Sequence, residues 1–577
     1  MAPMHYPFFG NGSAKRIAPT IASADAPSPG LQRRALGVLI GWTATSVLVC
    51  FALRALVLEE VRPGTRLHIF WHLFLRDEPS AGTLGLAVVL AAVLLARLSW
   101  PAAFDGALSS LAERPWTFIA ATTASLAVAA VLVYRCHPLS MDEYAPLFQA
   151  RAFARGSLWG EVPPEVLPRL VPIRSGDFLE ASADGRVISS YWPGFALLLA
   201  PFAALRVPWL LNPLLGGATL WVVWRLARRL SPSPSAAGWA VLLTAASPAF
   251  AVDAISFYSM GAHLFFNLLF VSLILEPDPR RLVAAGAVGS VALLLHNPVP
   301  HVLFALPWIA WVALGRGGAR RLAALLLGYA PLSAAGGLGW LWLRSRLAGA
   351  AAPGPGPAEL AAGLARIAFT APGGDLLLAR AAGLVELILW AVPGLLLVAS
   401  WGALRSFSPA GDRRLRLLAL SGACTLVGYM FVPFNQGHGW GFRYFHSAWG
   451  IVPLLAAGFL TSPDVGKTSL PRAMLLCAAL SLVLGTGLRF AQVRTFIDAH
   501  LAQLPRAATS SERRVVFVRR DRGYYSQDLV QNDPFLDGSR WILLSGGETA
   551  DADWMRQAFP HSRRIAANEV ATVWAVE

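Results

Sequence analysis

Apolar runs of about the ~20 residues that an α-helix needs to cross a bilayer recur from about residue 35 to residue 490. No water in the bilayer core can hydrogen-bond a free backbone, so such runs are helical. Their many Gly, Ala and Pro residues fit, because neighbouring helices satisfy the backbone groups that these residues free. Only 14% of the 577 residues are charged and 55% are hydrophobic, against about 25% charged in soluble domains. The chain is expected to be an all-α polytopic membrane protein.

Spans are expected near 35–57, 82–98, 116–134, 208–225, 237–253, 257–276, 283–297, 299–315, 322–343, 381–403, 416–433, 447–461 and 473–490, about 13 in all by length and apolarity. With the N-terminus inside, the main basic clusters fall on one side. They are Arg33/Arg34, Arg225/Arg228/Arg229, Arg280/Arg281, Arg316/Arg320/Arg321, Arg405/Arg413/Arg414/Arg416 and Lys467/Arg472, as the positive-inside bias requires. This placement also accounts for much of the net charge of +15, so nucleic acid is not an expected partner. "YWPGFALLLAPFAALRV" (191–207) is apolar but short. Counting it as a span would invert everything after it, so a re-entrant or interfacial helix on the outer face is expected.

Outside the spans, residues 1–34 read as a disordered cytoplasmic tail, polar and rich in Pro, Ser and Ala as far as Gln32. Three outer segments stand out: a long loop at 135–192, a loop at 344–380 whose "AAPGPGP" argues against regular structure, and a short loop, 434–446. Beyond the membrane part (35–490), "RRVVFVRR", "RWILLSGG" and "ATVWAVE" read as strands and "ADADWMRQAF" as a capped helix. Residues 491–577 are therefore expected to form a small α/β domain, extracytoplasmic by parity. Cys50, Cys136, Cys424 and Cys477 have no metal-type spacing, and three fall inside apolar runs, which argues against a disulfide framework.

"HPLSMDEYAPLFQARAFARGSLW" (137–159) places Asp142 beside Glu143 where a span ends. Ser140 to Glu143 has capping-box spacing, with Glu143 reaching back to the start of a helix. Met141, Tyr144, Leu147 and Phe148 form an apolar stripe largely opposite Gln149, Arg151 and Arg155, the pattern of an interfacial amphipathic helix. Pro146 favours a kink there. Capping explains Ser140 and Glu143 well and Asp142 less well. The helix dipole keeps Asp142 ionised, an acceptor ready to take a proton or hold a hydroxyl.

Other polar residues carry two readings each. Asp253 ends a span in "SPAFAVDAISFYSMGAH", either simply solvated or functional. His263 lies at membrane depth, facing a cavity or satisfied in the core. His296 and His301 flank a tight outer turn, "HNPVPH", where Pro298 and Pro300 exclude the helical face that usually presents a metal-binding pair. The loop "FNQGHGWGFRYFH" gathers His438, Arg443, Tyr444 and His446 among aromatics. Interfacial anchoring explains such a loop. An arginine with glycines freeing the backbone also suits bidentate capture of a phosphate at the membrane surface.

The acidic pair after an early span, the outer helix, "WPGFALLLAPF", and "NPLLGGATLWVVWRLARRL" followed by "SPSPSAAGWAVLLTAASP" together resemble the GT-C glycosyltransferases. The likeness is nearest to bacterial relatives of the protein O-mannosyltransferases and lipid A aminoarabinose transferases, and spans about residues 116–460. The resemblance implies transfer of a sugar from a polyprenyl-phosphate donor to an acceptor on the outer face of the plasma membrane. It implies Asp142 as the acid of the first outer loop with Glu143 beside it, Asp253 as an acid of the second, and Arg443 as the late-loop arginine. On this reading Asp142, Glu143 and Asp253 are the catalytic candidates. Arg443, His438, His446 and Tyr444 form the donor-phosphate site, and His263, His296 and His301 are accessory. No DxD-type pair appears in either early loop, so no metal or other cofactor is expected. The acceptor is open: protein, glycan or lipid. A transporter or lipid flippase and a non-catalytic envelope-assembly subunit remain as alternatives.

Overall fold

The computed structural model describes residues 29–60, 67–97, 103–170, 178–347, 373–433, 435–505 and 513–576. Of the segments expected above, residues 1–28 of the tail and the "AAPGPGP" stretch lie outside these. Among the described residues, six helices are long and apolar enough to cross a membrane: Arg34–Glu59, Ile69–Leu95, Pro115–Leu132, Pro208–Leu230, Gly318–Leu347 and Leu470–Leu501. Shorter apolar helices complete the bundle.

Several expected spans take a different form. The span drawn at 82–98 begins at Ile69 and carries Asp77 and Glu78 buried inside it. The charges end an apolar run in the sequence, but they are paired in the fold, so the helix continues. The span at 237–253 is two helices, Ser235–Ala245 and Pro248–Asp253. At the break the Ser247 hydroxyl donates to Leu243 O at 2.7 Å and the Ser481 hydroxyl to Ala246 O at 2.9 Å, which supplies the carbonyls the break exposes. The span at 381–403 is likewise divided into Gly374–Leu389 and Leu395–Ser406. The described ends of the loop 344–380 are helical, as parts of Gly339–Leu347 and Gly374–Leu389. The final membrane helix runs on to Leu501. The segment 191–207 forms an 11-residue helix, Gly194–Ala204, about 16 Å long and too short to span.

Helices approach closely where side chains are absent. A Cβ added to Gly286 would lie 2.1 Å from Leu325 O, and one on Gly328 would lie 2.0 Å from Val283 O. The helices Pro279–Leu294 and Gly318–Leu332 therefore touch backbone to backbone, the small-residue packing that lets membrane helices associate by van der Waals contact.

The arginine-rich helix ends gather together. Arg229 pairs with Glu276 at 2.7 Å, Arg281 pairs with the same carboxylate, and Arg414 donates to Arg229 O at 3.0 Å. Helix ends from three regions distant in sequence thus meet at one end of the bundle.

The described residues of the loop 135–192 are structured. They hold the helix Met141–Ala154 and a small antiparallel sheet, β1 (Gly160–Glu161), β2 (Leu179–Ala181) and β3 (Arg186–Ser189), in the order β1-β3-β2. The Met141 helix does not lie on an interface. Met141, Glu143 to Ala150 and Ala152 are all buried, because the terminal sheet covers Met141, Tyr144 and Phe148 of the apolar stripe while the helical bundle covers Leu147. That sheet comprises β4 (Arg513–Val518), β5 (Arg540–Leu544), β6 (Arg563–Ala567) and β7 (Ala571–Val576), ordered β5-β4-β7-β6. β4 and β5 are parallel and the other pairs antiparallel. β4, β5 and β7 lie on the expected strand segments, and the helix Glu548–Ala558 lies where one was expected; β6 was not foreseen. Tyr144 and Phe148 share one apolar core with Val515, Phe517, Ile542 and Leu543.

Candidate functional site

The chain leaves the helix Pro115–Leu132 through Arg135 and Cys136, both at positive φ, and turns into Ser140. Glu143 reaches back as capping requires, its carboxylate accepting from Leu139 N at 2.7 Å and Ser140 N at 3.3 Å. It also accepts from Tyr134 Oη and Phe257 N, both at 2.8 Å, and is fully buried. Burial pushes its pKa up to about 7, against the pull of these donors. Glu143 ties three segments together and is enclosed on every side.

Asp142 faces elsewhere. One carboxylate oxygen accepts from the Tyr191 hydroxyl, and the other accepts from Arg443 Nη1 at 2.8 Å. Side-chain exposure of 17% for Asp142 and 14% for Arg443 keeps the pair in reach of a ligand. Burial raises the pKa of Asp142, but the Arg443 charge, His296 and the hydrogen bonds from Tyr191 and Arg443 outweigh it and hold the carboxyl below its ordinary value. The same pairing, with Tyr258 and Tyr444, outweighs burial at Arg443 and raises its pKa. Both groups are charged at neutral pH.

The loop after residue 434 is built to hold that guanidinium. Arg443 Nη2 donates to Gln436 O, Arg443 N donates to Gln436 Oε1 at 3.1 Å, and Gln436 Nε2 donates to Gly441 O at 2.7 Å. Gly439 has φ +152°, and a Cβ on it would meet Arg443 Cδ at 2.7 Å, so the loop must be bare there to wrap the side chain. The guanidinium also lies 5.3 Å from the centre of the Tyr258 ring, within cation–π range.

The remaining expected residues divide into two groups. Near the pair, His446 Nε2 lies 3.1 Å from Asp253 Oδ2, so the late loop meets the end of the Pro248–Asp253 helix. His438 Nε2 lies 3.0 Å from Asp528 Oδ2 of the terminal unit. The Tyr444 ring stacks on Tyr429 at 4.7 Å, with Arg380 over it at 5.1 Å. His296 packs on Tyr191 at 4.2 Å between ring centres. His301 and His263 stand apart. The ring nitrogens of His301 are taken by Asn267 at 2.7 Å and Tyr329 at 2.6 Å, so it does not share an ion with His296. His263 is fully buried among helices. Among the described residues no group of His, Cys, Asp or Glu is arranged to hold a metal ion.

Tyr191, Gln436, Tyr258 and Asp528 were not foreseen. Tyr191 precedes "WPGF", where an interfacial aromatic draws no notice, and the other three carry no local motif.

No protein-family model matches the chain, and no curated protein matches it. Solved structures do. ArnT from Cupriavidus metallidurans bound to undecaprenyl phosphate aligns with a TM-score of 0.53 at 12% identity, over 80% of this chain and 97% of that one. The apo state of the same protein aligns with a TM-score of 0.50 at 14% identity, over 80% of this chain and 98% of that one. At such identities the likeness is one of fold. The chain shares the fold of these structures, a helical bundle with apolar helices of membrane-crossing length, and carries a small terminal sheet.

Proposed function

We propose that the protein is a membrane glycosyltransferase that moves a sugar from a polyprenyl-phosphate donor to an acceptor on the extracytoplasmic face of the plasma membrane. The observation that carries this is the Asp142–Arg443 pair. An acid and a phosphate-binding cation meet at a partly open point where the first outer loop, the late loop and the 191–207 segment converge. Arginine-rich helix ends meet elsewhere, in a cluster of their own, and the positive-inside bias assigns that end to the cytoplasm. The fold match includes a relative whose structure is bound to undecaprenyl phosphate.

The ion pair suggests an order of events. A donor phosphate is a stronger partner for a guanidinium than a single carboxylate oxygen, since it offers a bidentate edge. Its arrival draws Arg443 off Asp142 and leaves that carboxylate with only the Tyr191 hydroxyl. Asp142, relieved of its cation, becomes more basic as the donor settles. The acceptor oxygen attacks the anomeric carbon from the face opposite the phosphate, and its proton passes to Asp142. The bond from the anomeric carbon to the phosphate oxygen breaks, and Arg443 neutralises the departing polyprenyl phosphate. One displacement inverts the anomeric centre. Since Arg443 supplies the cation, the reaction is expected to proceed without a divalent metal. Glu143 supports the helix rather than reacting, and His446 with Asp253 steadies the late loop.

A transporter or flippase remains the second reading, on the specific ground that Asp77, Glu78 and Glu386 are buried within helices of the bundle. Buried charge at membrane depth is a feature of transport pathways.

The experiment is to incubate the purified full chain with polyprenyl-phosphate sugars and follow release of polyprenyl phosphate. Release that disappears in Asp142→Asn supports the transferase. No release with any lipid-linked sugar, alongside movement of such lipids across vesicles, overturns it.

A further inference from the structure

The Met141–Ala154 helix has a second charged end. Nine residues beyond Asp142, about 13 Å along a helix, Arg151 joins Arg155 and Arg206 around a cavity of about 560 Å³. Three cations face one acid, Asp533, and small residues such as Ala154 and Ala204 leave the space between them open. The acid does not neutralise the set. Arg155 is already held by Asp537 and by Asp533 at 3.4 Å, with its guanidinium 4.6 Å from the Phe535 ring centre. Among the described residues no carboxylate lies within ion-pair distance of Arg151 or Arg206.

Arg206 is also held in an unusual conformation. It follows the helix Gly194–Ala204 with φ +60°, the left-handed position that favours glycine after a helix. An arginine there sacrifices local stability and brings a cation to the cavity rim. Next to it Leu205 is 73% exposed, and the span Pro208–Leu230 begins two residues on. Leu158, on the other side of the turn after Arg155, is 51% exposed. A free anion needs no such surroundings, whereas a headgroup whose acyl chains leave along apolar surface does.

We propose that this cavity is a binding site, separate from the Asp142–Arg443 pair, for the phosphate headgroup of an anionic membrane lipid. Arg151 and Arg206 contact the phosphate, Arg155 fixes the wall against the terminal sheet, and Leu205 and Leu158 flank the emerging chains. The site stands independently of the proposed transfer reaction, since it is read from charge, cavity and exposure alone.

The test uses the full chain in uncharged detergent, with dihexanoyl phosphatidic acid, dihexanoyl phosphatidylcholine and inorganic phosphate titrated calorimetrically. Saturable binding of the phosphatidic acid is expected, with little of the other two. Arg151→Gln/Arg206→Gln is expected to weaken it by about tenfold or more, the usual scale for loss of charge-assisted hydrogen bonds. Ala204→Trp, which keeps every charge and fills the space, is expected to weaken it comparably, and Arg206→Gln alone, at an exposed position, does so should the double variant fail to fold. Unchanged lipid affinity in all three variants overturns the site. Inorganic phosphate binding as tightly as the lipid overturns the lipid assignment.

Discussion

Asp142 and Arg443, separated by 301 residues of sequence, are joined by a 2.8 Å hydrogen bond. In this structure, therefore, the residue proposed as base occupies the cation proposed for the phosphate. This makes a prediction that a simple base would not. Asp142→Asn is expected to lower turnover by about 10²–10⁴, the usual worth of general-base help, while donor affinity rises because Arg443 is no longer engaged. Arg443→Ala is expected to weaken donor binding strongly, and Arg443→Lys to restore it only in part, since a lysine keeps the charge without the fork. Turnover measured beside donor binding decides it; near-normal turnover in Asp142→Asn sinks the assignment.

The two neighbouring acids are expected to respond to pH in opposite senses. Asp142 is held below its ordinary pKa, so its contribution to stability is present above the unfolded value and is lost as pH falls through the folded one. Glu143 is raised from 4.5 to about 7. Over that interval the folded state holds the extra proton, so stability falls as pH rises and levels off above the folded value. Glu143→Gln is expected to remove that slope and to cost about 1–3 kcal/mol, because its amide hydrogens would face a nest of donors. Thermal unfolding of both proteins between about pH 4 and 8 reads the Glu143 slope, and extending it below the ordinary aspartate value of 3.8 reads the loss from Asp142; an unchanged slope in Glu143→Gln would assign it to another group.

The terminal unit is expected to brace the site rather than hang beside it. Tyr144 Oη donates to Asn532 O and accepts from Asn532 N, both at 2.8 Å, and Asn532 is held by Ile542 N at 2.8 Å and Ile542 O at 2.7 Å. Tyr144→Phe leaves both backbone groups of Asn532 without that partner inside an apolar core, a loss of about 1–3 kcal/mol per buried unsatisfied group. A lower unfolding temperature with reduced turnover is expected. Unfolding unchanged by this substitution would show that the contact is replaced by water.

Much of this was legible in the sequence, and the losses have physical causes. Hydropathy located most helices, yet it missed the start of Ile69–Leu95. Asp77 and Glu78 lower the local score, and Arg489, which offsets Glu78, lies 411 residues away. Alternating strands gave β4, β5 and β7, whereas β1 to β3 are two to four residues long and carry no period. The stripe of Met141, Tyr144, Leu147 and Phe148 was visible, but not what covers it, since a protein core and a lipid surface ask for the same residues. In the site, Asp142 and Arg443 were found as separate candidates. Their pairing, and the parts of Tyr191 and Gln436, exist only in three dimensions.

The membrane orientation is open to direct labelling. Asp184 in the first outer loop and Asp521 in the terminal unit have side chains 54% and 78% exposed. Cysteines at both are expected to react with an impermeant reagent from outside, and a cysteine at the exposed Arg320 only after the membrane is breached. Labelling of either of the first two solely from within would invert the arrangement.

The buried charges separate catalysis from transport. Arg489 donates to Glu78 through both arms, at 3.0 and 2.7 Å, Trp390 Nε1 donates to the same carboxylate at 2.8 Å, and the guanidinium lies 4.0 Å from the Trp390 ring centre. Every arm of this set is already engaged, which suits a fixed strut between the Ile69–Leu95 helix and the last one. A moving carrier needs its charges to change partners. Glu78→Ala is expected to destabilise the bundle by about 3–5 kcal/mol, since it strands a buried arginine. Removing both, as in Glu78→Met/Arg489→Leu, is expected to recover most of that loss, because a buried pair contributes little net stability over apolar side chains of similar size. The double variant is further expected to keep sugar transfer within a few-fold of normal. Measuring unfolding and transfer on the single and double variants gives the answer. Recovered folding with transfer abolished would mean that these charges take part in the working cycle and are more than a fixed strut.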